Sequence, residues 1–224
     1  MLRVLTWNLF HGRSVPDVPH DLLPEFAATI AGWEWDVALL QECPPWWPQP
    51  LAEASHAHPY RALTSRNQLL FITRPLAKRR PDVIKSWGGG CNAILVRGAP
   101  ATAHAHRRLR LRPERRVMQA VRLESGVWVG NVHAMAHRVE WAQSDLNEST
   151  EALDRWSGGA PAVLGGDFNT REPVVPGFQS AGGHVLDHIF FRGLAVAEQA
   201  HTIKRGTLSD HRPVVATLSE PPGG

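Results

Sequence analysis

Polar side chains recur at the points where short apolar runs of the sequence end. In chain order they are Asn8, Glu42, Asn131 with His133, Asp167 with Asn169, Asp187 with His188, and Asp210 with His211. Strand ends are where enzymes place functional groups, because a rigid scaffold holds them there. One Asn or Asp in such a place is usually a turn or a helix cap, but a set of this size favours an active site.

The types of these residues all suit the binding of a divalent metal ion and of a phosphoryl group. Hard oxygen donors, which Mg²⁺ and Mn²⁺ prefer, are offered by Glu42, Asp167, Asp210 and Asn8. His133 and His211 can donate hydrogen bonds to a phosphoryl oxygen. Sulfur is absent from the set, which disfavours zinc, although the twelve histidines leave a zinc site open.

The apolar pattern indicates which elements position these groups. Leu2 to Leu9 is apolar at most positions, as expected of a central strand buried on both faces. Helical spacing over His20 to Trp33 and an apolar run at Asp36 to Leu40 predict a strand, helix, strand unit. Pro44 to Pro50 holds four prolines and predicts an irregular loop, exposed or facing a ligand.

Many short strands and few helices predict an α/β (α+β) sandwich of two packed sheets flanked by helices. The further strands are predicted at Gln68 to Thr73, Asn92 to Val96, Val117 to Leu123, Val127 to Val132, Ala162 to Leu164, Val185 to Phe191 and Pro213 to Leu218. A second long helix is predicted near Val139 to Trp156. With no domain boundary visible, we expect one domain over residues 1–218 and a flexible tail at 219–224.

Composition narrows the class of protein. The chain has 224 residues, 43% hydrophobic and 20% charged, which is typical of a globular domain and disfavours the disordered, collagen-like and coiled-coil classes. No apolar stretch approaches the roughly 20 residues that span a bilayer, and no signal-peptide pattern is present. Cys43 and Cys91 match no disulfide or zinc framework and are predicted to be buried thiols. We expect a cytoplasmic monomer without a stable protein partner.

The net charge is only +3, but six arginines crowd the segment from Arg107 to Arg116. Two interpretations stay open: an arginine-rich loop or edge strand, and a surface that faces phosphate groups.

Taken together, these segments resemble the endonuclease/exonuclease/phosphatase superfamily, which has the DNase I-like fold, over nearly the whole chain. They follow the family's order: Thr6-Trp7-Asn8, Leu40-Gln41-Glu42, Cys91 to Leu95, Asn131-Val132-His133, Gly165 to Thr170, Leu186 to Phe190 and Leu208 to Val214. Gly-Asp-Phe-Asn and Ser-Asp-His-Arg-Pro are the specific elements. The resemblance implies a four-layered sandwich of two mainly antiparallel sheets flanked by helices.

The resemblance also implies a metal site. Glu42 would be the principal ligand, with Asn8 and Asp210 helping to hold the ion and its waters. A cation held mainly by one carboxylate and water is typical of Mg²⁺, for which Mn²⁺ can substitute. His11 follows Asn8 by three residues and is either a pocket residue or a loop histidine.

Asp167 resembles the residue that orients or deprotonates the attacking water, and Asn169 would hydrogen-bond that water or a phosphate oxygen. Because residues two apart in an extended segment point the same way, both side chains are expected in one pocket. Phe168 between them is expected in the core.

Three further groups would contact the substrate. By the resemblance, His211 donates to the scissile phosphate while Asp187 accepts from its other ring nitrogen, and His133 approaches from the second sheet. Arg116, with Arg115 as the rival, would reach a substrate phosphate.

The function implied is Mg²⁺-dependent hydrolysis of phosphodiester bonds by in-line attack of an activated water. Only 17 residues separate Asn169 from Asp187, which disfavours damage-specific cleavage, and no long hydrophobic hairpin is present. We therefore expect a nuclease acting on DNA or RNA. Two roles stay open for Trp46 and Trp47, stacking on a base and shielding a substrate. The alternatives are a phosphatase or phosphodiesterase for a small phosphoester or phosphoinositide, and a non-catalytic nucleic-acid-binding module.

Overall fold

Two sheets of six strands each make up the centre of the computed structural model, which describes residues 1–65, 67 and 70–221. The strands are β1 (Leu2–Asn8), β2 (Val37–Cys43), β3 (Ala57–Leu63), β4 (Cys91–Arg97), β5 (Ala103–Arg110), β6 (Arg116–Arg122), β7 (Trp128–His133), β8 (Ala162–Asp167), β9 (Gln179–His184), β10 (Asp187–Arg192), β11 (Ala195–Thr202) and β12 (Val214–Ser219). The helices are α1 (Leu23–Ala31), α2 (Pro48–Ala54), α3 (Leu70–Arg79), α4 (Pro81–Ile84) and α5 (Val139–Ser157).

The sheets have the strand orders β11-β12-β1-β2-β4-β3 and β5-β6-β7-β8-β10-β9. The β1–β2 and β7–β8 pairs are parallel and the other described pairs are antiparallel. The inner faces pack through aliphatic residues such as Val4, Leu39 and Val163. Phe26 and Ile30 of α1 cover the outside of the first sheet, and α5 covers the outside of the second. The predicted four-layered fold is confirmed.

Three local predictions need correction. The strand predicted at Gln68 to Thr73 is wrong for its described part, which begins α3, while Gln68 and Leu69 lie outside the described residues. The Pro44 to Pro50 segment is not irregular throughout, because α2 begins at Pro48, where proline is tolerated in a first helical turn. Of the predicted tail, Ser219 still belongs to β12 and residues 222–224 are outside the described part.

Two predictions from composition agree with the structure. Cys43 and Cys91 are both buried and free. Within the described ranges, no helix has the length and apolar character needed to cross a bilayer.

One polar side chain joins the two sheets at an irregularity of β2. Leu40 pairs with Ala93 and Cys43 with Cys91, so β2 carries one extra residue there, as in a β-bulge. Asn131 of β7 reaches across from the second sheet, and its Nδ2 donates to the Leu40 oxygen (3.0 Å) and the Ala93 oxygen (2.8 Å). Its Oδ1 accepts from Gln41 Nε2 at 2.8 Å. Asn131 therefore belongs to the inter-sheet core.

Asn131→Ala is expected to lower the free energy of unfolding by about 2–4 kcal/mol, because two buried carbonyls lose a side-chain donor and Gln41 loses an acceptor. Urea unfolding measures the loss. The control Asn147→Ala, an exposed position of α5, should change stability by no more than about 0.5 kcal/mol. Equal unfolding midpoints for the two variants would contradict the role given to Asn131.

Candidate active site

The polar groups collect at one end of the sandwich because strand register aligns them. His133 at the end of β7 pairs with Asp167 at the end of β8, and Asp167 pairs with Asp187 at the start of β10. Residues opposite one another in neighbouring strands project from the same face of a sheet. Three titratable side chains therefore form one row, and all three residues are buried.

The first sheet meets this row through Asn8, the last residue of β1. Asn8 Nδ2 donates to Asp167 Oδ2 at 2.9 Å, and Asn8 Oδ1 accepts the Phe10 N–H. His133 Nε2 lies 3.5 Å from the same Asp167 oxygen. The Asp167 carboxylate is thus the point where the two sheets and the histidine converge.

His211 completes the cluster from the turn that precedes β12. Its Nδ1 lies 2.8 Å from Asp187 Oδ2, and its Nε2 lies 3.8 Å from Asp167 Oδ2. The pair expected from the resemblance, Asp187 with His211, is therefore in direct contact. Asp187 Oδ1 is buried and has no hydrogen-bond donor among the described residues.

Burial and neighbouring charges give the two histidines opposite states. Burial opposes the charged form of His211, but the hydrogen bond and charge of Asp187, with the charge of Asp167, raise its pKa to about 9. Burial, then the positive charges of Arg116 and His211, hold the pKa of His133 well below its ordinary value. At neutral pH His211 is charged and His133 is neutral.

The two aspartates are harder to ionise than usual. Burial and the charge of Asp187 raise the pKa of Asp167 to about 7, against the opposing effects of His211 and Asn8. Burial also raises the pKa of Asp187, while its hydrogen bond to His211 opposes the shift. Asp167 is consequently easier to protonate than an ordinary aspartate.

Glu42 sits on the extra segment of β2, with a left-handed φ of 48°. Its Oε2 lies 3.1 Å from His11 Nε2, and its Oε1 lies 3.9 Å from His133 Nε2. His11 also has a positive φ, in the short turn Phe10–Gly12 after β1. His11 is therefore a pocket residue in direct contact with the predicted metal ligand.

The turn before His211 is held by Ser209, which sequence reasoning missed. Ser209 is fully buried with a φ of 62°; its Oγ donates to the Asn8 oxygen at 2.6 Å and accepts the His211 N–H at 3.0 Å. Trp7 Nε1 donates to the His211 oxygen. The serine before the Asp-His motif was the available signal, but its contact with β1 is not visible in sequence.

Asn169 contacts Asp167 through its backbone N–H and not through its side chain. Its φ is 50° and its backbone N–H donates to Asp167 Oδ1 at 3.0 Å, so the segment is a tight turn and not extended. Its side-chain Nδ2 donates to the Ala134 oxygen at 2.8 Å. Phe168 is buried in the core, as expected.

Of the two rival arginines, Arg116 lies at the site. It is 7% exposed, its charge acts on His133, and its Nη2 donates to Glu114 Oε2 at 2.9 Å. Arg115 has an exposed side chain, and its backbone bonds to Ser65.

Asp210 and the tryptophan pair lie at the margins. Asp210 is exposed and shares a cleft with His211, and no described contact joins it to Glu42. Trp47 is 2% exposed and packs on Phe26, so it is a core anchor. Trp46 is only partly buried and lines a surface cleft together with Arg61 and Phe71.

Part of the arginine-rich segment is an edge strand bound to a helix. Arg107 pairs with Glu148 at 3.7 Å and Arg110 with the buried Asp145 at 3.2 Å, both acids belonging to α5. These two arginines hold α5 on the second sheet.

The model of the Endonuclease/Exonuclease/phosphatase family matches residues 5–211, and the chain belongs to this family. Enzymes of the family are phosphoester hydrolases and generally depend on a divalent metal. A comparison with curated proteins gives no match.

Solved structures share the fold over almost the whole chain. An endonuclease/exonuclease/phosphatase from Beutenbergia cavernae superposes with a TM-score of 0.74 at 19% identity, covering 98% of this chain and 71% of that one. Truncated Caenorhabditis elegans TDP2 gives 0.64 at 16% identity, covering 97% of each chain. The Bacteroides thetaiotaomicron mannosyl-6-phosphatase Bt3783 gives 0.66 at 16%, covering 97% of this chain and 99% of that one.

Asp187→Asn should lower the pKa of His211 from about 9 to near its ordinary value of roughly 6.5 or below, because the strongest stabiliser of the imidazolium is removed while burial remains. In the wild type the ring stays charged up to about pH 9 and loses its proton above it. NMR titration of the metal-free protein measures both values. Asp210→Asn is the control and should give a smaller shift. A His211 pKa that Asp187→Asn leaves unchanged would contradict this account.

Proposed function

We propose that this protein is a Mg²⁺-dependent phosphoesterase that hydrolyses phosphodiester bonds in a nucleic-acid strand. The observation that carries the proposal is the convergence of Asn8, His133 and His211 on Asp167 at one buried end of the sandwich. A buried carboxyl group beside a charged imidazolium and a neutral imidazole suits proton transfer next to a phosphoryl group.

The donor set fits a hard divalent cation. Glu42 is 24% exposed and lies 3.9 Å from His133, and Asn8 bonds directly to Asp167. We assign the ion to Glu42, Asn8 and Asp210, with Mn²⁺ as a substitute for Mg²⁺. Ligand atoms of Asp167, Asp187 and His211 also lie within 4.8 Å of one another, but the direct Asp187–His211 hydrogen bond accounts for that cluster. When bound, the cation acts as a Lewis acid toward the phosphoryl group.

The protein's own groups divide the remaining work. Asp167, held by Asn8 and by the Asn169 N–H, accepts the proton of the attacking water. His211 donates from Nε2 to a phosphoryl oxygen, while Asp187 holds its Nδ1–H and keeps the ring charged. His133 donates to the same phosphoryl group as a neutral imidazole. Arg116 supplies a guanidinium for a substrate oxygen.

A small phosphoester is the second candidate substrate. Arg107 and Arg110 form ion pairs with acidic residues of α5, so their charges are not free to bind the backbone of a nucleic acid. The deciding assay measures hydrolysis of plasmid, single-stranded DNA, RNA, bis-p-nitrophenyl phosphate and inositol phosphates with Mg²⁺, Mn²⁺ or EDTA. Turnover of a nucleic acid that EDTA abolishes is expected. Metal-independent turnover, or none on any substrate, would reject the proposal.

Glu42→Gln should raise the half-saturating Mg²⁺ concentration and lower the maximal rate, because it removes the charged oxygen ligand. Substrate binding should change less than either. Titration of activity with Mg²⁺ gives both quantities. The control Glu53→Gln, at an exposed position of α2, should match the wild type. If Glu42→Gln also matches, Glu42 is not the ligand.

Asp167→Asn is expected to lower turnover by at least about a hundredfold, as when a general base is lost. Its melting curve separates loss of function from loss of fold. Asp17→Asn, an exposed aspartate, should retain turnover. Turnover near the wild-type rate in a folded Asp167→Asn protein would move the role of base to another carboxylate, first to Asp210.

A further inference from the structure

The cleft that Asp210 shares with His211 opens beside the Asp187–His211 pair. Its volume is about 260 Å³, and Asp187 and His211 form one wall. The rest of the lining is His184, Val185, Leu186, Arg205, Asp210 and Arg212. A substrate held at His211 would therefore extend directly into this space.

Two guanidinium groups of this cleft are not neutralised by ion pairs. Within the described part of the chain, neither Arg205 nor Arg212 lies within ion-pair distance of a carboxylate, and Arg212 is exposed. Burial and the nearby charge of Arg212 lower the pKa of Arg205, and the charge of Asp210 opposes them. At Arg205 the charge of Asp210 outweighs that of Arg212, and both guanidinium groups line the same cleft, where a bound anion would face two cations.

Arg205 is also fixed in place. Its Nη1 donates to the Leu208 oxygen at 2.9 Å and to the Gly206 oxygen at 3.3 Å. These bonds anchor the guanidinium to the loop that leads into Ser209 and His211. Its position relative to the catalytic histidine is therefore set by the backbone.

Three arginines of the Arg107 to Arg116 segment differ in this respect. Arg107, Arg110 and Arg116 each pair with a carboxylate. No ion pair is found for Lys204 either among the residues that the structure describes, and Lys204 lines an adjoining cleft with Arg205 and Arg212. The cationic path thus starts at His211 and runs outward along the loop after β11.

We propose that the cleft of Arg205 and Arg212 is a binding subsite for a second phosphate group of the substrate, next to the phosphate that is cleaved. Planar guanidinium groups bind phosphate oxygens through paired, charge-assisted hydrogen bonds. His184 adds a further hydrogen-bonding group, and Asp210 opposes the anion unless a cation neutralises it. The inference rests on the proposed phosphoesterase function and names the substrate class as one with at least two phosphates.

The test compares substrates that differ by one phosphate. One pair is thymidine 5′-(p-nitrophenyl phosphate) with and without a 3′-phosphate, which represents a nucleic-acid strand. The other is inositol 1-phosphate against inositol 1,4-bisphosphate, which represents a small polyphosphorylated substrate. We expect wild-type kcat/KM to favour the extra phosphate in the nucleotide pair by about tenfold or more. If only the inositol pair shows the preference for the extra phosphate, the subsite exists, but it binds a phosphate of a small polyphosphorylated substrate and not of a nucleic-acid strand.

Arg212→Gln should reduce that preference about tenfold, and Arg212→Lys should restore part of it. Arg205→Gln should act in the same direction, but its bonds to the loop make Arg212 the cleaner position. Arg122→Gln, an exposed arginine at the far end of β6, is the control and should keep the preference.

The outcomes separate the two proposals. If the wild type hydrolyses the single-phosphate compounds without preferring either diphosphate, or if Arg212→Gln keeps the preference, the subsite is wrong while the phosphoesterase function stands. If the wild type hydrolyses none of the four compounds or the nucleic acids, the proposed function fails first.

Discussion

The extra residue in β2 and the asparagine that covers it are the constraint on which the site depends. The irregularity interrupts the β2–β4 ladder, and Asn131 gives the Leu40 and Ala93 oxygens a donor from the opposite sheet. A buried carbonyl without a donor costs about 1–3 kcal/mol. The hydrogen bonds of Asn131 therefore help to fix the position of one sheet relative to the other. The same irregularity turns Glu42 out of the ladder and toward His11.

Because the position of the two sheets is fixed, a side chain of the first sheet can bond to a buried aspartate of the second. Asn8 comes from the first sheet and Asp167 from the second, and their 2.9 Å contact exists only because the sheets pack at this distance. Burial then disfavours ionisation of Asp167 and Asp187, and the charged His211 partly compensates. The site is thus a balance between the cost of burying carboxylates and the attraction of one imidazolium.

Arginines serve two different purposes in this chain. Arg107 and Arg110 hold α5 on the second sheet through Glu148 and Asp145. Arg205 and Arg212 line a cleft together with Asp187 and His211. Composition alone cannot separate the two groups, because ion pairing depends on which acidic residue of a distant element packs nearby.

The sequence by itself determined the inner strands and the groups at their ends. Strands buried on both faces must be apolar at nearly every position, which is why β1 and β2, with Asn8 and Glu42 at or near their ends, could be predicted. The strands that no apolar run indicated are β3, β5, β9 and β11, the edge strands of the two sheets, where solvent exposure permits polar residues. The helix α3 was predicted as a strand because a short apolar run has no period that distinguishes the two.

Only the tertiary structure decided how those groups meet. Asn131 looked like a site residue at a strand end, and its contacts across the sheets make it part of the core instead. Ser209, His11 and the turn at Asn169 all depend on left-handed backbone, which non-glycine residues adopt only where surrounding contacts enforce it. Sequence pattern records which face of an element is buried, whereas contacts between residues far apart in the chain arise only when the sheets pack.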